Sequence, residues 1–256
     1  MAYGPTQSAW NGNAQLGLGW GLFVGCAGDN SPHAHHAVQI VLSASPQRLW
    51  TAKRGWQRCH GAVIGADVAH RLAESTDPVT LLYLEPDSAE GRRLMATLAE
   101  GWRELSPEAT KAALSALRDG SPQSPAQHVA NYLSPSKQPS KSLRHDPLVE
   151  SLLLELPQPL PDRLGIGALA SKTGLSASRL QHRFRAHIGL AVRPYLRWRR
   201  LLTALDGVTR GLPLTVAALD AGFADAAHFT RTFRRHFGIA PNVLLRLKTK
   251  GPTASN

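Results

Sequence analysis

The stretch "LTVAALDAGFADAAHFTRTFRRHFGIAP", Leu214 to Pro241, decides the fold of the C-terminal half. Phe229, Phe233 and Phe237 recur at a four-residue spacing, which lines three rings along one side of a helix. Arg231, Arg234, Arg235, His228 and His236 fill the gaps, so this helix packs with one face and offers cations with the other. Ahead of it, Gly222 and Phe223 separate two apolar-periodic runs, where a tight helix-to-helix turn calls for a residue that tolerates positive φ. Asp225 is placed to cap the second helix, and Ala218 is small enough to let the two helices approach.

The same plan occurs once more upstream. "IGALASKTGLSASRLQHRFRAHIG", Ile166 to Gly189, aligns with the first stretch at an offset of 48 that becomes 49 after the turn. Ala170 pairs with Ala218, Gly174 with Gly222, Leu175 with Phe223, Leu180 with Phe229, Phe184 with Phe233 and Ile188 with Phe237, while Ser176 takes the capping place of Asp225. A short helix, a glycine with an apolar plug and a capped second helix form the layout of a helix-turn-helix, whose second helix enters the DNA major groove. Many helical hairpins share one such pattern; two basic copies with equivalent cores narrow the reading. Between them, "RPYLRWRRLLTALDGVTRG" sets Tyr195, Trp198, Leu202 and Leu205 at helical spacing with Arg193, Arg197, Arg199 and Arg200 interleaved. This reads as a rigid connecting helix. If it holds the two recognition helices about 34 Å apart, one chain can reach successive major-groove segments.

Charge supports an anionic partner for this half. The chain carries a net charge of +11, and 16 basic against 7 acidic residues lie from Asp146 onward, leaving 13 and 11 to the first 145 positions. With 256 residues and 43% apolar content there is room for two domains with real cores, which excludes disorder throughout. The start "MAYGPTQSAWNGNAQ" lacks a basic segment followed by an apolar run, and no stretch of eighteen apolar residues occurs, so a soluble, cytoplasmic protein without membrane contact is expected. Cys26 and Cys59 are too few for a disulfide scaffold and lack zinc spacing; they read as buried structural thiols, with a redox sensor as the alternative.

"YLSPSKQPSKSLRHDP", Tyr132 to Pro147, has no apolar period and reads as a linker. Before it, "AVQIVLSAS" and "VTLLYLEP" look like strands, and "GRRLMATLAEGW" and "EATKAALSALRDG" look helical; after it, "DPLVESLLLELP" begins a helix capped by Asp146 with Pro147 in its first turn. The predicted boundaries are 1–131, a linker over 132–145, and a helical domain over 146–250. The predicted fold class is α+β multidomain, mainly-β first and all-α second.

The segment from about Asp146 to Arg246 resembles the DNA-binding domain of the AraC/XylS transcription regulators. The resemblance is carried by "LTVAALDAGFADAAHFTRTFRRHFGIAPN", with its Gly-Phe turn, Phe-x-x-x-Phe helix and closing Gly-x-x-Pro. It implies a sequence-specific regulator and not an enzyme, in most cases an activator that contacts double-stranded promoter DNA and RNA polymerase. It also implies an N-terminal cupin-like barrel, followed by helices, that binds a small-molecule effector or forms a homodimer. Carried over by position, the first recognition helix offers Ser178, Arg179, Gln181, His182 and Arg185, and the second Ala226, Ala227, His228, Thr230 and Arg231. Gln can bond bidentately to adenine and Arg to guanine, each worth roughly 1 to 3 kcal/mol of discrimination, and Arg231 is the leading base reader. Arg183, Arg234 and Arg235 are expected to face phosphate or solvent. Ala226 and Ala227 depart from the family, in which longer polar side chains are common there, so the second helix is expected to read fewer bases.

In the N-terminal part, "HAHHAVQ" gives His33, His35 and Gln39, which resembles the H-x-H-x-x-x-E element of metal cupins with Gln for Glu, and His70 is placed as a third histidine. These four residues are the candidate divalent-metal ligands; no other cofactor is expected. The alternative is a histidine-lined pocket or an exposed loop. On a strand, His33 and His35 would point the same way and His36 the other. Glu85 and Asp87 read as strand-end and helix-start residues, with Asp87 or Ser88 as a cap. Three other functions fit parts of the chain. A metal-dependent cupin enzyme fused to a DNA-binding domain would rest on the histidines, and a non-specific DNA coat on charge alone. A DNA-repair methyl acceptor would need a cysteine cluster that two isolated cysteines do not supply.

Overall fold

The computed structural model describes residues 9–17, 19–119, 125–134, 146–157, 159–161 and 164–250. They fall into two compact units, one formed by residues 1–138 with Phe233–Asn256 and one by Pro139–Thr232.

The first unit is built on β1 (Asn11–Gly17), β2 (Trp20–Cys26), β3 (Val38–Thr51), β4 (Gly55–Ile64), β5 (His70–Leu72), β6 (Val79–Leu84) and β7 (Trp102–Leu105). α1 (Ala89–Met95) lies in sequence between β6 and β7, and α2 (Pro107–Asp119) and α3 (Pro125–Leu133) follow. The sheet runs β7-β4-β3-β6-β2-β1-β8, where β8 is Lys248–Lys250, and β5 pairs with β3. Every pairing is antiparallel except that of β1 with β8.

The central strands are buried on both faces, which is why "VQIVL" and "VTLLYL" read as nearly continuous apolar runs, interrupted by the buried Gln39 and Thr80, and not as an alternation. Ile40, Leu42, Val63, Leu82 and Leu84 face one core together with Leu94 of α1, Ala113 of α2 and Val129 and Leu133 of α3. Val41, Leu49, Ile64 and Leu81 face the other with Phe23, Trp102 and Leu247. Strand β3 continues past the predicted "AVQIVLSAS" to Thr51, with its register against β4 shifting between Leu42 and Gln47. The helix expected over "GRRLMATLAEGW" ends at Met95, and Trp102 already belongs to β7. Ser88 is its cap, its hydroxyl accepting from the Gly91 N–H at 2.9 Å.

The second unit holds α4 (Pro147–Leu154), α5 (Ile166–Thr173), α6 (Ala177–Ile188), α7 (Val192–Thr209), α8 (Leu214–Asp220) and the greater part of α9 (Ala226–Phe237), whose last turn belongs to the first unit, as does α10 (Pro241–Arg246). Val149, Leu152, Leu169, Leu180, Phe184, Ile188, Tyr195 and Leu196 form one core that unites α4 to α7. Of the expected linker, Tyr132 and Leu133 close α3, and residues 135–145 lie outside the described residues. Among the described residues no helix is long and apolar enough to cross a membrane.

Candidate nucleic-acid interface

Two helical pairs with the same local construction carry the interface. In the first, Gly174 ends α5 at φ 65° and the Ser176 hydroxyl accepts from the Arg179 N–H at 3.3 Å, capping α6. In the second, Gly222 follows α8 at φ 83° and the Asp225 carboxylate accepts from the His228 N–H, capping α9. Ala170 and Ala218 are buried, as expected of small residues at the closest approach of two helices. The glycines differ in one respect. A Cβ on Gly174 would meet open space, whereas one on Gly222 would stand 2.5 Å from the Leu160 carbonyl oxygen, so the second turn needs glycine for space as well as for φ.

The apolar faces anchor both second helices. Leu180, Phe184 and Ile188 of α6 are each no more than 1% exposed, and Phe229 and Phe233 of α9 no more than 2%, with Phe223 set edge-on to Phe229 at 5.2 Å. The connecting helix α7 buries Tyr195, Trp198 and Leu205 and exposes Arg193 and Arg197.

On the opposite face of α6, Ser178, Arg179, His182 and Arg185 are exposed. Gln181 is half-buried, and its amide nitrogen has neither exposed surface nor a hydrogen-bond partner, so reading a base edge requires that side chain to turn outward. On α9, Ala227, Arg231, Arg234 and Arg235 are exposed, and Ala226, His228 and Thr230 are half-buried. Arg183 is half-exposed and already paired: its Nε and Nη2 donate to the two Asp146 oxygens, at 2.7 Å each. Asp146 also accepts from the Leu148 and Val149 N–H groups as the cap of α4, so one carboxylate ties α4 to α6. The Arg183 guanidinium holds the Asp146 carboxyl below its ordinary pKa. His187 is a packing group: it is buried, and its Nδ1 accepts from the Asp146 N–H at 3.1 Å.

In the first unit, His33, His35 and His70 come together, the one set of three or more His, Cys, Asp or Glu groups placed to share an ion among the described residues. They do so without the strand that the sequence suggested. Only Gln39 lies in β3; His33 makes a single bridge to His70, and His35 sits between that bridge and the strand. The ring centroids are 4.5 Å apart for His33 and His70 and 4.9 Å for His35 and His70. Gln39 Oε1 stands 2.9 Å from His35 Nε2 and 2.8 Å from His70 Nε2. Burial pushes the His35 pKa down to about 3 and lowers those of His70 and His33, so all three rings are neutral. His36 turns away, as expected, to Asp67 at 3.0 Å. Cys59 is buried, which raises its thiol pKa to about 11, and Cys26 is half-buried with its thiol on the Thr76 carbonyl; both are free.

Residues 169–246 match a family described as a helix-turn-helix domain. The regulatory protein SoxS of Escherichia coli (strain K12) is 31% identical over 101 residues, which cover 39% of this chain and 94% of SoxS. The HTH-type transcriptional activator AarP of Providencia stuartii is 29% identical over 105 residues, 41% of this chain and 77% of AarP. For the fold of both units, the structure of unsaturated fatty acid bound wild-type ToxT from Vibrio cholerae strain SCE256 superposes with a TM-score of 0.58 at 9% identity, covering 91% of this chain and 96% of that one. Both relatives are named as regulators of transcription or regulatory proteins, and the stretch they match holds the two capped turns. The chain belongs to the AraC/XylS family of DNA-binding transcription regulators.

Proposed function

We propose that the protein is a sequence-specific, ligand-responsive transcription activator that inserts α6 and α9 into successive major-groove segments of promoter DNA. The observation that carries this reading is the pair of capped turns, each presenting a second helix with its aromatic face buried and its polar, cationic face open. On this reading Ser178, Arg179, His182 and Arg185 address bases and phosphates from α6, with Gln181 turning out to join them. Ala227, His228, Thr230 and Arg231 address DNA from α9, and Arg231 is its principal base reader. Residues 146–250 form the DNA-binding module, and the mainly-β segment over 1–131, cupin-like in plan, receives the small-molecule effector and supports self-association. RNA polymerase is the protein that an activator of this kind addresses; AarP, a relative named as an activator, supports that direction. The unsaturated fatty acid held by ToxT supports ligand responsiveness on this fold.

The test is selection from a random double-stranded DNA library with the full-length protein at about 0.15 M salt, where non-specific binding is weak. The expected result is one enriched site with two read patches about 10 base pairs apart. Uniform recovery of all sequences, with and without cell-extract metabolites, would overturn sequence-specific recognition.

A further inference from the structure

The geometry points to a divalent-cation site in the first unit, with His33, His35 and His70 as nitrogen ligands and the Gln39 side-chain oxygen beside them. The site goes beyond the DNA-binding reading and stands without it.

Two backbone carbonyls set the tautomers. His70 Nδ1 lies 2.8 Å from the Val68 carbonyl oxygen, and His33 Nδ1 lies 2.8 Å from that of Ser31. A carbonyl can only accept, so each Nδ1 carries the ring proton, and each neutral ring is left with a bare lone pair on Nε2. A backbone carbonyl holding one ring nitrogen while the other stays free is the outer support that metal-binding histidines use to fix ring orientation.

The bare His70 nitrogen then faces Gln39 Oε1, a second acceptor, at 2.8 Å, and His35 Nε2 meets the same oxygen at 2.9 Å. A proton on His35 Nε2 relieves one of these contacts and leaves the other. With the amide turned, its two N–H groups donate one to each Nε2, which leaves both ring nitrogens unprotonated and aimed at one point. A cation among the three rings and the amide oxygen satisfies the converging lone pairs together.

Dimensions agree. The ligand atoms of the three histidines lie within 4.8 Å of one another. With bonds of about 2.1 Å, adjacent octahedral ligands are separated by about 3.0 Å and opposite ones by about 4.2 Å, so the set has to draw together by about 0.6 Å for an opposite pair and by up to about 1.8 Å for adjacent ones. The surroundings are dry: His35 and His70 are each 1% exposed and Gln39 2%, and the rings of Tyr83 and Phe237 stand 5.3 and 6.0 Å from that of His35. His33, partly exposed, marks the entry. Three imidazoles and an amide without a carboxylate favour Zn²⁺, Co²⁺ or Ni²⁺ over Mg²⁺ or Ca²⁺, which take oxygen ligands.

The experiment uses full-length protein stripped with a chelator and titrated with Co²⁺, followed by its visible ligand-field absorption, and with Zn²⁺ by calorimetry. The expected result is one equivalent per chain, at least tenfold weaker binding in His33→Ala and in His70→Gln, and no Mg²⁺ uptake. His33→Ala sits at the partly exposed ligand and is expected to leave the melting midpoint of the stripped protein unchanged, which separates lost ligation from lost fold. Absence of stoichiometric Co²⁺ and Zn²⁺ uptake would overturn the site. So would uptake that both variants leave intact, since the ion would then belong to other histidines among the 11 of the chain.

Discussion

Replacing Gly222 by alanine and, separately, Gly174 by alanine separates two physical demands that the repeat makes at equivalent positions. Both glycines hold positive φ, 83° and 65°, which costs an L-residue roughly 1 to 2 kcal/mol. At Gly174 that is the whole effect, because the added methyl would meet nothing within 4 Å. At Gly222 the methyl would stand 2.5 Å from the Leu160 carbonyl oxygen and 3.2 Å from Arg200 Nε, so backbone must shift by at least half an ångström. Overpacking of that kind costs roughly 1 to 3 kcal/mol, and the expected losses are therefore about 1 to 2 kcal/mol for Gly174→Ala and about 2 to 5 kcal/mol for Gly222→Ala. Urea unfolding followed by helical circular dichroism measures both, provided the slope with denaturant is unchanged between variants. Equal losses, or a larger loss at Gly174, would refute the claim that the second turn is held by a close backbone approach and the first by φ alone.

Phe233→Ala removes a ring that is 2% exposed and is expected to cost about 3 to 5 kcal/mol, read as a lowered unfolding midpoint; an unchanged midpoint would deny its place in the core. Arg231→Ala, at an exposed position, is expected to leave stability within about 0.5 kcal/mol and to relax preference at one base of the selected site; binding weakened equally on every sequence would make it a phosphate contact instead. Asp146, whose carboxyl is held below its ordinary pKa of 3.8 first by Arg183 and then by the α4 N–H groups, contributes stability that is full above that value and lost as pH falls through the lower folded one. Asp146→Asn is expected to lose this acid limb of the stability profile, and an unaltered limb between about pH 5 and 2 would show that other carboxylates produce it.

The helical half was legible because its signals are local. Glycine at a turn, a Ser or Asp one step before a helix and aromatic residues at i and i+4 each act within a few residues, and the repeat let each be checked against its twin. The sheet was legible only in its centre, β3 and β6, where burial on both faces concentrates apolar residues. Strands β1, β4 and β7 escaped notice since Asn11, Gln57, Arg58 and Glu104 give them a mixed polarity that registers only once a partner strand is in place.

Sites divide along the same line. The exposed face of α6 follows from the period of its apolar residues, but Arg183 shares that helix and is paired with Asp146, 37 positions away in sequence and linked by no local rule. The histidines show the reverse case. Their residue types suggested an ion while the strand geometry assumed for them did not form, for His33 is joined to His70 by a bridge, and these two rings are oriented by the Ser31 and Val68 carbonyls. Backbone carbonyls exist at every position, so no sequence pattern marks the two that matter. Side-chain chemistry narrows what a cluster can bind, whereas backbone atoms decide which nitrogen lone pair is free to bind it.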